Sequence, residues 1–332
     1  MTITRSKCIG LIAVTAVLLL LPLIFSGDYY IMNMLVACIV WAAVAESWNL
    51  MIGYAYVFSF GQVAFFVTGE YCSGMLCKYF GLNPWLGILA GGVGAMIIAL
   101  ILVAPCLRIR GVYVSIVTYS FATVLSVLIR YFGTPNYQYS TYGTYGLAGL
   151  PPLYFGNFTL DRYNPTAWYF IALALSGFFI FIIYKIINSR IGLAFVSLRD
   201  SLSFATSIGV NEFKYKVLAF AITSFIAGAM GGFYSSYLSI ITPSTLELEM
   251  FIVVFLMMQL GGNRFLGSTI GAFFMTILNE LLRPTGTWRL VCLGILIIIC
   301  ATYMPNGIIG LLEKITKWVV KKLGRKDNIE PS

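Results

Sequence analysis

The sequence predicts an all-α polytopic membrane protein of about ten transmembrane helices, N-in and C-in, with a short cytoplasmic helix between the sixth and seventh. Three observations carry this. Apolar stretches of about 18–24 residues recur between Cys8 and Met304, close to the roughly 20 helical residues that cross a hydrocarbon core. Hydrophobic residues make up 60% of the chain and charged residues only 10%, which excludes a soluble globule. The charges lie between the apolar stretches, where they set orientation in a bilayer.

The first predicted span covers 8–26. Arg5 and Lys7 ahead of Leu11–Phe25 resemble a signal peptide, but Phe25-Ser26-Gly27 lacks a small-x-small cleavage site, so a retained helix is expected. The following spans are read at 31–51, 57–79, 85–105, 111–131, 166–187, 216–240, 247–263, 266–283 and 288–304. With the N-terminus inside, 16 of the 21 Lys and Arg residues fall on the cytoplasmic side. Lys78, Arg130, Arg162, Arg283 and Arg289 fall outside, so every crossing obeys the positive-inside rule. Residues 1–310 then form one transmembrane domain with an external loop at 132–165 and a cytoplasmic loop at 188–215. Residues 311–332 form a basic cytoplasmic tail, and its apolar and basic faces over Leu311–Lys322 suit the inner membrane surface.

The 188–215 loop is too polar to cross and too patterned to be a linker. Gly192-Leu-Ala-Phe-Val-Ser-Leu reads as one or two helical turns. After Arg199-Asp200-Ser201, the residues Leu202, Ala205, Thr206 and Ile208 recur at helical spacing, and Gly209 closes the helix. Two readings fit its apolar face: packing on the protein's own helix ends, or docking of a cytoplasmic partner.

The chain contains no histidine, which removes His-based acid–base chemistry and His metal ligands. Its seven cysteines show no paired metal spacing and read as small packing residues. No catalytic residue, resident cofactor or metal is expected, and charges that flank spans argue against nucleic acid. There is no G-x-x-x-x-G-K-[ST] phosphate loop, so transport driven by nucleotide would need a separate ATPase. The pairs Gly87/Gly91, Gly228/Gly232 and Gly267/Gly271 allow close helix contact in lipid. Glu46, Glu70 and Glu280 lie within predicted spans, where a carboxylate is costly; only Glu70 is central.

Six blocks in order over about 46–310 carry a family resemblance. They are Asn49-Leu50-x-x-Gly53-Tyr54 with Ser59, Gly61, Ala64-Phe65-Phe66, Gly69 and Tyr71; then Leu107-Arg-Ile-Arg-Gly111-Val-Tyr113 with Ile116, Thr118 and Phe121. Next come Thr141-Tyr-Gly143-Thr144-Tyr-Gly146-Leu147-Ala-Gly149-Leu-Pro151, and Gly192, Ala194, Arg199-Asp200, Ala205, Gly209 and Asn211. Gly261-Gly262 with Gly267, Gly271 and Ala272, and Pro305-Asn-Gly307-Ile-Ile-Gly310, complete the set. Together they resemble the permeases of branched-chain amino acid ABC importers, a group that includes urea and short-amide permeases. The chain departs from that pattern at Tyr56, Gln62, Glu70, Tyr142, Tyr145 and Arg264, which bear on substrate. Leu193, Leu202 and Thr206 replace charged residues on the coupling surface.

The resemblance implies a multi-pass permease in a bacterial or archaeal cell (inner) membrane. It implies three kinds of partner besides lipid: a second related permease, two cytoplasmic ABC ATPase subunits that use the ATP, and an extracytoplasmic substrate-binding protein. It assigns Gly192, Ala194, Arg199, Asp200, Ala205 and Gly209 to ATPase coupling. Asn49, Ser59, Gln62 and Thr118, polar residues in the matched blocks, together with the central Glu70, are candidates for the translocation pathway. Branched-chain amino acids are the first substrate expectation, and urea or a short amide the second. A proton-coupled secondary carrier using Glu70 is a rival that needs neither ATPase nor coupling helix. An intramembrane enzyme would need histidines, clustered aspartates or a metal-ligand pattern.

Overall fold

A computed structural model describes residues 18–304 apart from 26, 107–108, 110, 112, 134–139, 156–157, 161–163, 263 and 287, and adds 307 and 310. The 311–332 tail and the start of the first predicted span lie outside the described residues. Helices fall on every predicted apolar stretch: α1 (18–25), α2 (Tyr29–Asn49), α3 (Gln62–Phe80), α4 (Pro84–Cys106), α5 (Tyr113–Tyr131) and α6 (Pro165–Ile187). Two short helices follow, α7 (Arg190–Asp200) and α8 (Leu202–Ser207), and then α9 (Glu212–Leu238), α10 (Leu248–Gly261), α11 (Gly267–Leu281) and α12 (Trp288–Tyr303).

Among the described residues, five helices are long and apolar enough to cross a membrane by length and composition: α2 with its continuation to Tyr54, α4, α5, α6 and α9. The lengths differ from the even set that the sequence predicts. The 14 residues of α10 reach only about 21 Å. It is shortened by a 3-10 turn at Pro243–Leu246 before it and a turn at Gly262 after it. In α3, Gln62, Thr68, Glu70, Ser73 and Lys78 dilute the apolar run.

The core forms where α3, α4 and α9 cross, because three glycines meet there. A Cβ on Gly91 would lie 2.7 Å from the Gly69 carbonyl, and one on Gly228 would lie 2.6 Å from the Gly91 carbonyl. Backbone approach of this kind supplies the packing that hydrophobicity cannot supply between helices in lipid. Helix α2 is buried almost continuously from Leu35 to Asn49, enclosed by α6, α9 and α11. Gly271 packs α11 against the Met257 carbonyl of α10.

The all-α expectation is modified at one end of the bundle. β1 (Leu147–Ala148) pairs antiparallel with β4 (Ile240–Ile241), and β2 (Tyr154–Phe155) with β3 (Phe158–Thr159). Lys78 Nζ donates to the Ala148 carbonyl at 2.7 Å, Tyr79 to Ser140 and Trp85 Nε1 to Tyr154, so this loop is fastened to the ends of α3 and α4. The ion pairs Arg130–Glu247, Arg283–Glu280 and Arg289–Glu249 belong to the same strand end. The 188–215 loop lies at the opposite, loop end with the termination of α2 and the turn between α10 and α11.

Candidate functional site

The 188–215 loop is built by three side-chain caps. Ser189 accepts from the Ile191 amide at 3.1 Å, Ser201 from Phe204 at 3.4 Å and Asn211 from Lys214 at 3.0 Å, which start α7, α8 and α9. The first segment is a full 11-residue helix rather than a turn or two, because the Ser189 cap starts it at Arg190. Gly209 ends α8 at φ +86°, a conformation that favours glycine. The Val210 amide bonds the Ala205 carbonyl and the Gly209 amide bonds Thr206, a Schellman closure.

Of the residues assigned to coupling, Gly192 sets the corner between α6 and α7, where a Cβ would strike the Ile187 carbonyl. Ala194 and Ala205 are buried within this chain. Arg199 points inward: its guanidinium donates to the Gly53 carbonyl at 3.1 Å and to Asp200 at 3.0 Å. The outward apolar side chains are Leu193, Phe204, Ile208 and Phe213, exposed by 71, 63, 60 and 58%. Of these, the helical-spacing pattern contained Ile208 alone; Leu193 stood out as an apolar replacement on the coupling surface, and Phe204 and Phe213 only as large apolar residues in a polar loop.

The second constellation is the break between α2 and α3. α2 runs into a π-helical turn at Leu50–Tyr54, and residues 55–61 are then non-helical, with Tyr56 at φ +54°. The sequence expected span three to begin at 57; helix α3 starts five residues later. The backbone of the break is bonded from all sides. Trp48 Nε1 donates to the Ser59 carbonyl at 2.8 Å, the Phe60 amide to Thr118 Oγ1 at 2.9 Å, and Ser115 Oγ to the Phe58 carbonyl at 3.1 Å. Trp48, Phe60 and Phe255 form a cluster with ring centroids 5.8–6.3 Å apart.

The structure brings Asn49, Ser59, Gln62 and Thr118 together at this break, all buried. Gln62 Nε2 donates to Ser47 Oγ at 2.7 Å and to the Thr223 carbonyl at 3.2 Å, so α3, α2 and α9 meet through one amide. Asn49 donates to the Arg264 carbonyl at 3.1 Å. The acceptor oxygens Asn49 Oδ1 and Gln62 Oε1 are buried without a hydrogen-bond partner. The arrangement places neutral donors and acceptors beside aromatic rings in the buried interior of the bundle. Glu70 stands apart, about two turns along α3. Its Oε2 is buried and unpartnered, and its backbone lies against Gly231 of α9, with Tyr71 and Tyr234 within electrostatic reach.

Sequence reasoning missed Ser47, Thr223 and the aromatic cluster, because no local pattern marks a residue whose partner is a distant backbone carbonyl. It marked Glu46 only as a costly intramembrane acid. Glu46 is fully buried and accepts hydrogen bonds from the Leu266 amide at 3.1 Å, Thr269 Oγ1 at 3.3 Å and Asn49 Nδ2 at 3.4 Å. Among the described residues no group of three or more His, Cys, Asp or Glu could hold a metal.

A bundle of long apolar helices, with a capped polar loop at one end and buried polar groups at a helix break, is the architecture of an integral membrane protein. The profile of the family described as branched-chain amino acid transport system / permease component matches residues 30–301, and the chain belongs to that family. Among curated relatives it is 25% identical over 288 residues to the high-affinity branched-chain amino acid transport system permease protein LivM of Escherichia coli, covering 79% of this chain and 66% of the relative. The chain thus spans just under two-thirds of that relative's length. It is 25% identical over 271 residues to a probable branched-chain amino acid transport permease protein, LivH, of Methanocaldococcus jannaschii, covering 76% and 83%. It is 28% identical over 149 residues to the autoinducer 2 import system permease protein LsrC of Klebsiella pneumoniae, covering 41% and 42%. No solved structure matches the chain.

Proposed function

We propose that this chain is a permease subunit of an ABC importer for branched-chain amino acids, spanning the cell membrane ten times with both termini in the cytoplasm. One observation carries the reading most directly. Leu193, Phe204, Ile208 and Phe213 project from a capped, well-formed loop at one end of the bundle, and none of the described residues covers them. Exposed apolar clusters rimmed by polar residues mark protein contacts. A cytoplasmic ATPase is the occupant that the family membership supports, and two such subunits would serve a pair of related permeases.

The contact pattern supports the ten-span arrangement. Segments read from charge as cytoplasmic meet one another: Arg199 with Gly53, Glu46 with Leu266, and Asn49 with Arg264. Segments read as external also meet one another, as Lys78 does with Ala148 and Arg130 with Glu247. The external end would receive substrate from a binding protein. ATP binding would then move the coupling helices, and the bundle would open alternately to each side. The chain itself makes and breaks no covalent bond in this cycle.

The test is reconstitution of the permease with its neighbouring-gene permease, ATPases and binding protein in liposomes. ATP-dependent accumulation of leucine, isoleucine or valine is expected. Uptake of urea or acetamide in place of these would overturn the substrate. Uptake driven by a proton gradient without ATPase would overturn the class.

A further inference from the structure

We propose that Arg199 and Glu46 are positioning residues of a single relay that joins the 188–215 loop to the first turn of α11 through the end of α2. The inference rests on the permease reading above and adds to it the route by which the loop's movement reaches the helices.

The relay has two contacts, each matched to a helix end. Gly53 lies in the π turn that ends α2, so its carbonyl belongs to the last turn and lacks an onward helical partner. Arg199 supplies that partner at 3.1 Å, a cation placed at the negative end of a helix. Two turns earlier on α2, Glu46 bonds the Leu266 amide at 3.1 Å and Thr269 Oγ1 at 3.3 Å. This places a carboxyl group at the positive end of α11. Asn49, between the two, holds the Arg264 carbonyl at 3.1 Å and Glu46 at 3.4 Å, and the Tyr54 hydroxyl sits beside the Phe265 backbone. Tyr184, near the end of α6, packs its ring on Phe265 at 5.2 Å. The loop is therefore tied to the α10–α11 turn from both its α6 and its α7 ends.

The alternatives for these side chains are weaker. Arg199 is partly exposed and could have faced solvent, but its guanidinium is spent on a backbone carbonyl 146 residues away. Glu46 has no cationic partner among its hydrogen bonds, which come from the Leu266 amide and the Thr269 hydroxyl at the start of α11 and from Asn49 of its own helix. If α7 is displaced by an ATPase, the Arg199–Gly53 contact draws on the π turn, and the π turn moves with Glu46. The α11 first turn then follows.

Two measurements on the full chain test this. In the first, hydrogen exchange at 264–270 is followed in lipid nanodiscs for wild type, Arg199→Gln and Glu46→Gln. Glu46→Gln loosens its own contact directly. Arg199→Gln is expected to raise exchange at 264–270 at least several-fold, although it touches no residue there. Exchange at wild-type rates in Arg199→Gln would overturn the relay, whatever the transporter's class. In the second, the assembled complex is assayed for substrate taken up per ATP hydrolysed. In both variants uptake per ATP hydrolysed is expected to fall about tenfold, and Arg199→Lys is expected to recover part of it. The double variant should lose little more than either single variant. Unchanged uptake per ATP with raised exchange would overturn the positioning role while leaving the contact intact. A wild-type complex that hydrolyses no ATP would instead overturn the importer reading, and exchange would still decide the linkage.

Discussion

Phe204→Ala isolates the docking surface from the fold, because the side chain is 63% exposed and its removal leaves no cavity in this chain. Complete burial of a phenylalanine is worth about 1.5–3 kcal/mol. The exposed share of Phe204 therefore has roughly 1–2 kcal/mol still to gain on contact, which corresponds to about 5–30-fold in Kd. Ile208→Ala, with a similar exposure but a smaller side chain, should weaken association by a lesser factor in the same direction. The assay is titration of purified ATPase onto the permease in nanodiscs, with thermal unfolding of the permease alone as the control. Stability should be unchanged and affinity reduced. Ala205→Asp cannot make this distinction. Ala205 is fully buried in this chain, so an aspartate there disrupts α8 itself. Wild-type ATPase affinity in both Phe204→Ala and Ile208→Ala would refute the assignment of this face.

Three further outcomes follow from the geometry. In a cysteine-depleted background, Ser203→Cys and Tyr145→Cys, both exposed, should react with an impermeant maleimide from opposite sides of sealed vesicles; reaction from one side would break the ten-span arrangement. Gly228→Ala puts a methyl 2.6 Å from the Gly91 carbonyl, and overpacking of this kind should cost about 1–3 kcal/mol in denaturant unfolding; wild-type stability would mean that the three-helix crossing can open. Gln62→Leu removes the donors to Ser47 and Thr223 at nearly constant volume, so uptake should slow several-fold with the binding protein's affinity unchanged, and wild-type uptake would remove Gln62 from the pathway.

Much of the fold was legible because lipid imposes a strong constraint: every predicted apolar stretch carries a helix, and Gly209 closes α8 with the bonds its residue type suggests. Legibility fails where the governing contact is to distant backbone. The pattern Leu202–Ala205–Thr206–Ile208 was read as one apolar face, yet Ala205 is buried while Thr206 and Ile208 are exposed, because six residues are too few to define a face by periodicity. The π turn has no sequence signature, since hydropathy does not distinguish an i→i−5 bond from an i→i−4 bond. Four pathway candidates converged because two family blocks meet in space, whereas Glu70 shared a block without sharing the location.

The position of the helix break explains why these particular residues gather there. Non-helical backbone at membrane depth survives only where protein or a water-lined cavity satisfies it. Residues 55–61 meet that demand through Trp48, Ser115 and Thr118, drawn from two other helices. The neighbouring turn at 262–266 meets it through Glu46 and Asn49. Both breaks therefore depend on side chains of α2 and α5 rather than on their own helical ladders. A rigid movement of α2 changes the bonding of both at once, while the glycine-packed crossing of α3, α4 and α9 has no comparable freedom, because its contacts are backbone against backbone. At the loop end the exposed face of the 188–215 loop and the buried polar groups of the break are joined through Arg199 and Gly53.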